Sequence, residues 1–475
     1  MAPTKPQSTT DVETSPGRRR FGVEPGSGPL TTPAALGLIA LILLLLTAPV
    51  IISGRGGPSE AHDQDQHHLL IIERMIEQWP RVDVVEYESA TSPGYHFIMA
   101  AMATLFGGDM GIVRWANLLL SFGLLGAVFW TMRRFVAPWL ALLLTAPLLF
   151  NPYQLGAAMY ATTDNAALFF VALALGGAAM APWTPGRGLL LGLWATMAML
   201  MRQIHVWVAA PVGLAGLLAS PLARWAPAWL QRHVSLRPAW ANLAVGVVAG
   251  VVPLAILGVF IWLWGGLLPP IYRDMHGGGI NPATFAFALS LAGVFGIFHL
   301  PLVWNRLAGT RFWTRLTIAG AAVGLLAATL VPTAVTRTDS AREAFRAYGY
   351  FWRVVGRFPE FADRSLLILV MAPVGAVIVA LLHRAAAQAG RSSQSAIILL
   401  GLLGWLCAQS FNSMAWQRYF EPLILIGLAW LAALGCAPMT DRRRRLALLG
   451  PAALAAWGLF ATCISLYRAV ILYEP

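Results

Sequence analysis

Long apolar runs recur along the chain, separated by short polar stretches. Runs at 33–53, 111–132, 137–150, 163–182, 187–201, 204–220, 240–265, 283–304, 312–332, 365–383, 395–411, 419–437 and 446–466 predict about 13 transmembrane helices. A bilayer span needs roughly 20 mostly apolar residues. Runs 137–150 and 187–201 are short for a full span and predict bent or broken helices. Run 94–106 is apolar too and is expected to lie partly in the membrane, near the interface. The expected fold class is an all-α polytopic membrane protein. Residues 1–32 are polar, with Arg18, Arg19 and Arg20, and read as a disordered cytoplasmic tail. Residues 33–475 form one multi-pass domain, with 54–110 as its first external loop. The run at 33–53 is too long, and too poor in a small-residue cleavage site, for a signal peptide.

Inside that first loop the period changes. From residue 63, Leu69, Ile72, Ile76 and Trp79 fall at helical spacing and make one apolar stripe. Asp63, Gln66, His67, Glu73, Arg74 and Glu77 take the opposite side, and Asp65 points towards the stripe. The pattern predicts an amphipathic helix lying in the interface plane, its stripe in lipid. Asp63 stands near the helix start, where a carboxylate caps well.

Composition narrows the class. The chain is 58% hydrophobic and 11% charged, with a mean hydropathy of +0.66. The net charge of +12 is almost all arginine, Lys5 being the sole lysine. In a soluble protein that excess would suggest nucleic acid; here it follows from arginine-rich inner loops. Arg133, Arg134, Arg187, Arg224, Arg232, Arg237, Arg306, Arg311, Arg315, Arg384, Arg391 and the run 442–445 all fall on one side if the amino terminus is inside. The first external loop, at 54–93, instead has eight acids against three arginines. Cys407, Cys436 and Cys463 lie in apolar runs and offer neither a disulfide framework nor a metal cluster.

The unusual polar residues gather on the outer side, which points to one outward-facing site. A carboxylate at the membrane surface can take the proton of a sugar hydroxyl as that oxygen attacks an activated anomeric carbon. Asp63 is the first candidate for that base and Asp65 the second. Asp63 and His67, four residues apart, also share a face that suits a divalent ion, but no third ligand stands nearby. A metal is therefore allowed and not required, and no other cofactor is evident.

Four motifs resemble one family. Asp63 and His67 followed by "ESATSPGYHF", then "MYATTDNAALFF", "MRQIHVWVA" and "QRYFEPLI", occur in the order found in the dolichyl-phosphate-glucose alpha-1,2-glucosyltransferases. The resemblance covers most of the first 210 residues and a patch near 418. Gln64, Ser92 and His205 depart from the family pattern, which holds Glu, Pro and Asn there. The resemblance implies a divergent, bacterial-type member of the GT-C superfamily, with amphipathic helices in the first external loop. It further implies an inverting hexosyltransferase, glucose favoured, moving sugar from a polyprenyl-phosphate donor to a glycan or lipid-linked acceptor. A bacterial plasma membrane with a periplasmic site is favoured, with the endoplasmic reticulum as the alternative.

The leaving group of such a transfer is a lipid phosphate, so cations belong at the outer surface. Arg202 and Arg418 suit it through paired hydrogen bonds, with His205 and Arg273 behind them. Gln203, Asp164, Tyr160, Tyr95 and Trp207 are the candidate substrate-binding residues. The loop "RDMHGGG" at 273–279 reads as an external loop able to close over substrate. A polyprenol-sugar flippase or secondary transporter is the rival class. It should carry ionisable residues within spans and paired broken helices, whereas this sequence shows one-sided polar loops.

Overall fold

The computed structural model describes residues 30–54, 60–107, 109–180, 183–227, 230, 238–273, 280–334, 348–412, 414–437 and 441–468. Most of the tail expected over 1–32, and the loop residues 274–279, lie outside them. The described residues are almost entirely helical, with one two-stranded hairpin pairing Glu360–Phe361 and Arg364–Ser365.

Among the described residues, seven helices are long and apolar enough to cross a membrane: Thr32–Ser53, Met110–Arg133, Trp240–Trp264, Leu366–Gln388, Ser392–Ser410, Gln417–Gly435 and Arg445–Tyr467. Two bent pairs raise the number to nine if each counts as one span. The chain is therefore an integral multi-pass membrane protein. Shorter apolar helices cover Gly94–Phe106, Thr163–Ala179, Gln203–Leu218 and Arg315–Thr329.

The first bent pair is the one its length foretold. Pro138–Leu149 and Pro152–Met159 meet at 76°. Asn151 makes the break, its Oδ1 accepting from the backbone N–H groups of Tyr153 and Gln154 at 3.0 Å each, with Pro152 in the first turn. A break among apolar helices must satisfy its freed backbone internally. Asn117 donates to the carbonyls of Ala157 (2.7 Å) and Tyr160 (2.8 Å), and Asn165 donates to that of Gln154 (2.8 Å). The run at 283–304 is not one straight span: Thr284–Gly296 and Leu300–Leu307 meet at 81°.

Burial sorts the helices. Nearly all residues of Gln417–Gly435 are buried, so it runs through the middle of the bundle, while most of Trp240–Trp264 is not, and it turns valines and Trp262 outward. Small residues let helices touch: a Cβ on Gly375 would lie 1.8 Å from the carbonyl oxygen of Leu289.

The two ends of the bundle differ in chemistry. At one end arginines bind helix carboxyl termini. Arg306 reaches the carbonyls of Gly435 and Cys436, Arg391 those of Ala433 and Leu434, and Arg187 that of Gly177. These are arginines of the expected inner loops, and the partial negative charge of the helix ends holds them. The opposite ends of the same helices carry Arg418 and Asp164.

Candidate functional site

The first loop supplies one wall. Glu60–Asp63 is a short helical turn, Gln64–His68 a π-helical turn, and Leu69–Glu77 an α-helix. The wide turn changes the expected register. Gln64 and His68 face inward, and Asp65 faces outward instead of towards the apolar stripe. The apolar face does not lie open to lipid either. Ile71, Ile72 and Met75 pack on Tyr95, Met99 and Ala103 of Gly94–Phe106, leaving Trp79 at the rim against Phe97. Burial against a neighbouring apolar helix removes this face from solvent, the same drive that would otherwise put it in lipid.

Gln64 is fully buried and acts as a hub. Its Oε1 accepts from Arg114 Nε (3.0 Å) and from the Ala161 backbone N–H (2.9 Å), and its Nε2 donates to Asp65 Oδ1 (2.7 Å). It thus ties the loop to the helix at 110–133 and to the turn before Thr163. Asp63 makes no capping hydrogen bond. Its Oδ2 instead lies 2.5 Å from Nη2 of Arg418, across the bundle.

Arg418 opens the central helix Gln417–Gly435. Its side chain is 9% exposed and lies over the rings of Trp416 (4.7 Å) and Tyr419 (5.0 Å). Nη2 also donates to the Tyr419 hydroxyl at 3.0 Å, whereas Nε and Nη1 are buried without a partner among the described residues.

A second pair stands beside the first. Pro185–Met201 ends at Arg202, whose backbone turns to an extended conformation before a short 3-10 turn at Gln203–Val208. That break aims the Arg202 side chain at Asp164, with which it forms an ion pair. Asp164 sits in the first turn of Thr163–Ala179 and is engaged by the arginine rather than by a cap. Arg202 also lies over the Tyr419 ring, 4.7 Å from its centre. Tyr419 therefore has a guanidinium from each pair against it.

The neighbouring residues divide into those near the pairs and those used elsewhere. Gln203 donates to the Ala90 carbonyl (2.8 Å) and accepts from Ser92 (3.2 Å), fastening "ATSPG" to the break. His205 is buried close to Trp207, and among the described residues neither His205 Nδ1 nor the buried Trp207 Nε1 has a hydrogen-bond partner. Tyr160 is buried beneath Arg114. Tyr95 is fully buried and donates to Asn117 at 3.2 Å, a packing position rather than an open one. Arg273 is not joined to the other arginines. Its guanidinium binds the carbonyls of Trp264 and Leu268, closing the end of Trp240–Trp264. The His67 ring meets Tyr272, with Nδ1 and hydroxyl 3.5 Å apart. Among the described residues no group of three His, Cys, Asp or Glu is arranged to hold a metal.

Sequence reasoning passed over Gln64 as a hub, Arg114, His68, and the buried Glu421. Glu421 lies one turn below Gln417 and accepts from it and from Asn151 (2.5 Å). A carboxylate on an otherwise apolar helix was the available signal for Glu421, and an arginine one turn into an apolar run the signal for Arg114.

No protein-family description matches the chain, and no curated protein matches its sequence. Solved structures do resemble it. Archaeal oligosaccharyltransferase AglB from Archaeoglobus fulgidus, in complex with an inhibitory peptide and a dolichol-phosphate, aligns with a TM-score of 0.48 and 13% identity over 90% of this chain and 56% of that one. The oligosaccharyltransferase of the same organism tethered to an acceptor peptide gives 0.47 and 12% over 94% and 56%. ArnT from Cupriavidus metallidurans bound to undecaprenyl phosphate gives 0.40 and 14% over 92% and 89%. The chain thus spans a little over half the length of the archaeal enzymes it resembles.

Proposed function

We propose that this protein is a membrane glycosyltransferase of the GT-C type, which moves a hexose from a polyprenyl-phosphate donor to a glycan or lipid-linked acceptor. The observation that carries the reading is the pair of ion pairs, Asp63–Arg418 and Asp164–Arg202, set around Tyr419. Two guanidinium groups converging from separate helices suit a phosphate, because each offers a planar fork of donors. Arg418 keeps two buried donor atoms unused for such a ligand.

In the proposed reaction Asp63 is the general base. The acceptor hydroxyl gives its proton to Asp63 while its oxygen bonds to the anomeric carbon. The bond from that carbon to the phosphate oxygen breaks on the opposite face, and the electron pair leaves with the phosphate. Configuration inverts. In the free protein Arg418 holds Asp63; a donor phosphate competes with that carboxylate for the arginine and leaves the base free to accept a proton. Asp164 sets Arg202 in place. Gln203, fixed to the "ATSPG" loop, and the buried His205 and Trp207 follow Arg202 in the same short turn and are assigned to the sugar or lipid. Glucose is the favoured sugar, on the motif resemblance; Asp65 is the reserve base; and a periplasmic or lumenal site follows the arginine bias of the opposite loops.

The test uses purified protein in lipid with a panel of polyprenyl-phosphate sugars. Release of polyprenyl phosphate from one donor by wild type, and not by Asp63→Asn, supports the reading and names the sugar. Movement of intact donor across the bilayer, unchanged in the variant, would support a flippase instead.

A further inference from the structure

The π-helical turn buries two polar side chains, and only Gln64 has its partners filled. His68 donates or accepts through Nδ1, 2.9 Å from His96 Nε2. His96 Nδ1 in turn lies 2.5 Å from the Tyr87 hydroxyl. The three groups come from three separate segments and are all buried, at 9%, 0% and 3% exposure for His68, His96 and Tyr87. Among the described residues, nothing is hydrogen-bonded to Nε2, the other nitrogen of His68.

Such a chain has two proton orders, because a neutral imidazole carries one donor and one acceptor. Either Tyr87 donates to His96, which donates to His68 and leaves its proton on Nε2, or the order reverses and Nε2 is bare. The geometry chooses. The Tyr87 hydroxyl is 2.5 Å from His96 Nδ1 but 3.3 Å from its other acceptor, the Ser92 carbonyl. A phenol is a better donor than a neutral imidazole N–H, and an imidazole nitrogen a better acceptor than a phenol oxygen, so the short contact favours O–H to Nδ1. Tyr87 therefore gives its hydrogen to His96.

The surroundings keep the chain uncharged. Burial pushes the Tyr87 phenol up, so it holds its proton. Burial first, then Arg202, His67 and Arg418, push the His68 imidazole down to about 3. Geometry links it to the arginine site: His68 closes the turn that Asp63 opens, and Asp63 meets Arg418. Tyr95 and His96 from Gly94–Phe106 stand against its ring, and the charges of Arg202, His67 and Arg418 act on it from nearby.

We propose that the Tyr87–His96–His68 chain locks His68 as an uncharged Nε2–H donor to a phosphoryl oxygen of the polyprenyl-phosphate donor held by Arg202 and Arg418. The proposal rests on the phosphate reading of that site. Its physical gain is a third hydrogen bond to an oxygen that gains charge as the sugar leaves. A third cation would add repulsion to two crowded guanidinium groups; a neutral N–H does not.

The test is nitrogen-15 NMR of histidine-labelled full-length protein in nanodiscs, with the His68 signals assigned by loss in His68→Gln. Protonated and bare imidazole nitrogens differ widely in shift. The expected result is a protonated Nε2 that does not titrate between pH 5 and 9 and that shifts when undecaprenyl phosphate is added. Tyr87→Phe should let both tautomers appear and weaken undecaprenyl phosphate binding roughly fivefold. A bare Nε2, a titration within that range, or an unmoved signal at saturating undecaprenyl phosphate would overturn the proposal. Failure of undecaprenyl phosphate to bind at all would overturn the phosphate reading and the ligand named here, and it would show as absent binding with the tautomer still locked.

Discussion

Asp63 and Arg418 come from opposite ends of the chain and meet carboxylate to guanidinium at 2.5 Å, above a tyrosine that a second arginine also covers. The first loop and the last third of the protein thus close on a single point. Each residue belongs to a separate motif, and the fold is what makes them neighbours.

Arg418→Gln should weaken binding of polyprenyl phosphate by at least tenfold and lower transfer further, since charge and fork are both lost. Arg418→Lys should recover little of either, because an ammonium lacks the planar fork that can hold Tyr419 and a phosphate together. Equilibrium binding of polyprenyl phosphate to the purified variants measures this. Equal affinity in wild type and Arg418→Gln would contradict it.

Asp164 and Arg202 should be coupled. Each single change, Asp164→Asn and Arg202→Gln, strands a largely buried partner, so the double variant should cost less than the sum. A coupling of about 0.5–3 kcal/mol is the usual range for residues in contact. A double-mutant cycle on the denaturation midpoint gives the value, and additive losses would show that the pair is not formed.

Gly375→Ala should destabilise the bundle, since the new methyl meets backbone of Leu289 and Gly293 rather than movable side chains. Overpacking of this kind costs about 1–3 kcal/mol. Gly186→Ala, where nothing lies within 4 Å, is the matched control and should be neutral or slightly stabilising. Thermal melts in detergent compare the two.

Acid should act partly through His68. Its ordinary value is 6.5 and its folded value about 3. Between these the unfolded chain binds the extra proton, so stability is complete above 6.5 and falls as pH drops towards 3. The slope is at most about 1.4 kcal/mol per pH unit. Denaturation midpoints at pH 7.5 and pH 5 should converge in His68→Gln relative to wild type. An equal loss in both proteins would remove His68 from the account.

The sequence made much of this legible. Hydrophobic runs located nearly every apolar helix to within a few residues, because each must be long enough to matter to a bilayer. Short run 137–150 correctly implied a break, since Asn151 and Pro152 are strong start signals. The bend inside 283–304 had no such signal beyond Gly296 and Pro301. Asp63, Asp164, Arg202 and Arg418 stood out as polar groups at the ends of apolar runs. Their pairing did not, because nothing local specifies which carboxylate meets which arginine. The π-helical turn also escaped periodicity: one wide turn rotates all that follows, which exposed Asp65 and buried Gln64 and His68. For Arg273 the sequence left two partners open, because a charged residue beside glycines suits an anion and a helix end equally; the structure shows it on the helix-end carbonyls of Trp264 and Leu268.

The measurement that bears most directly on the central claim is release of polyprenyl phosphate from polyprenyl-phosphate sugars by wild type and Asp63→Asn, in lipid, at matched folded protein. Wild type should release it from at least one donor, and the variant should lose about a hundredfold or more, the range expected for removing a general base. Undiminished release by Asp63→Asn would contradict it.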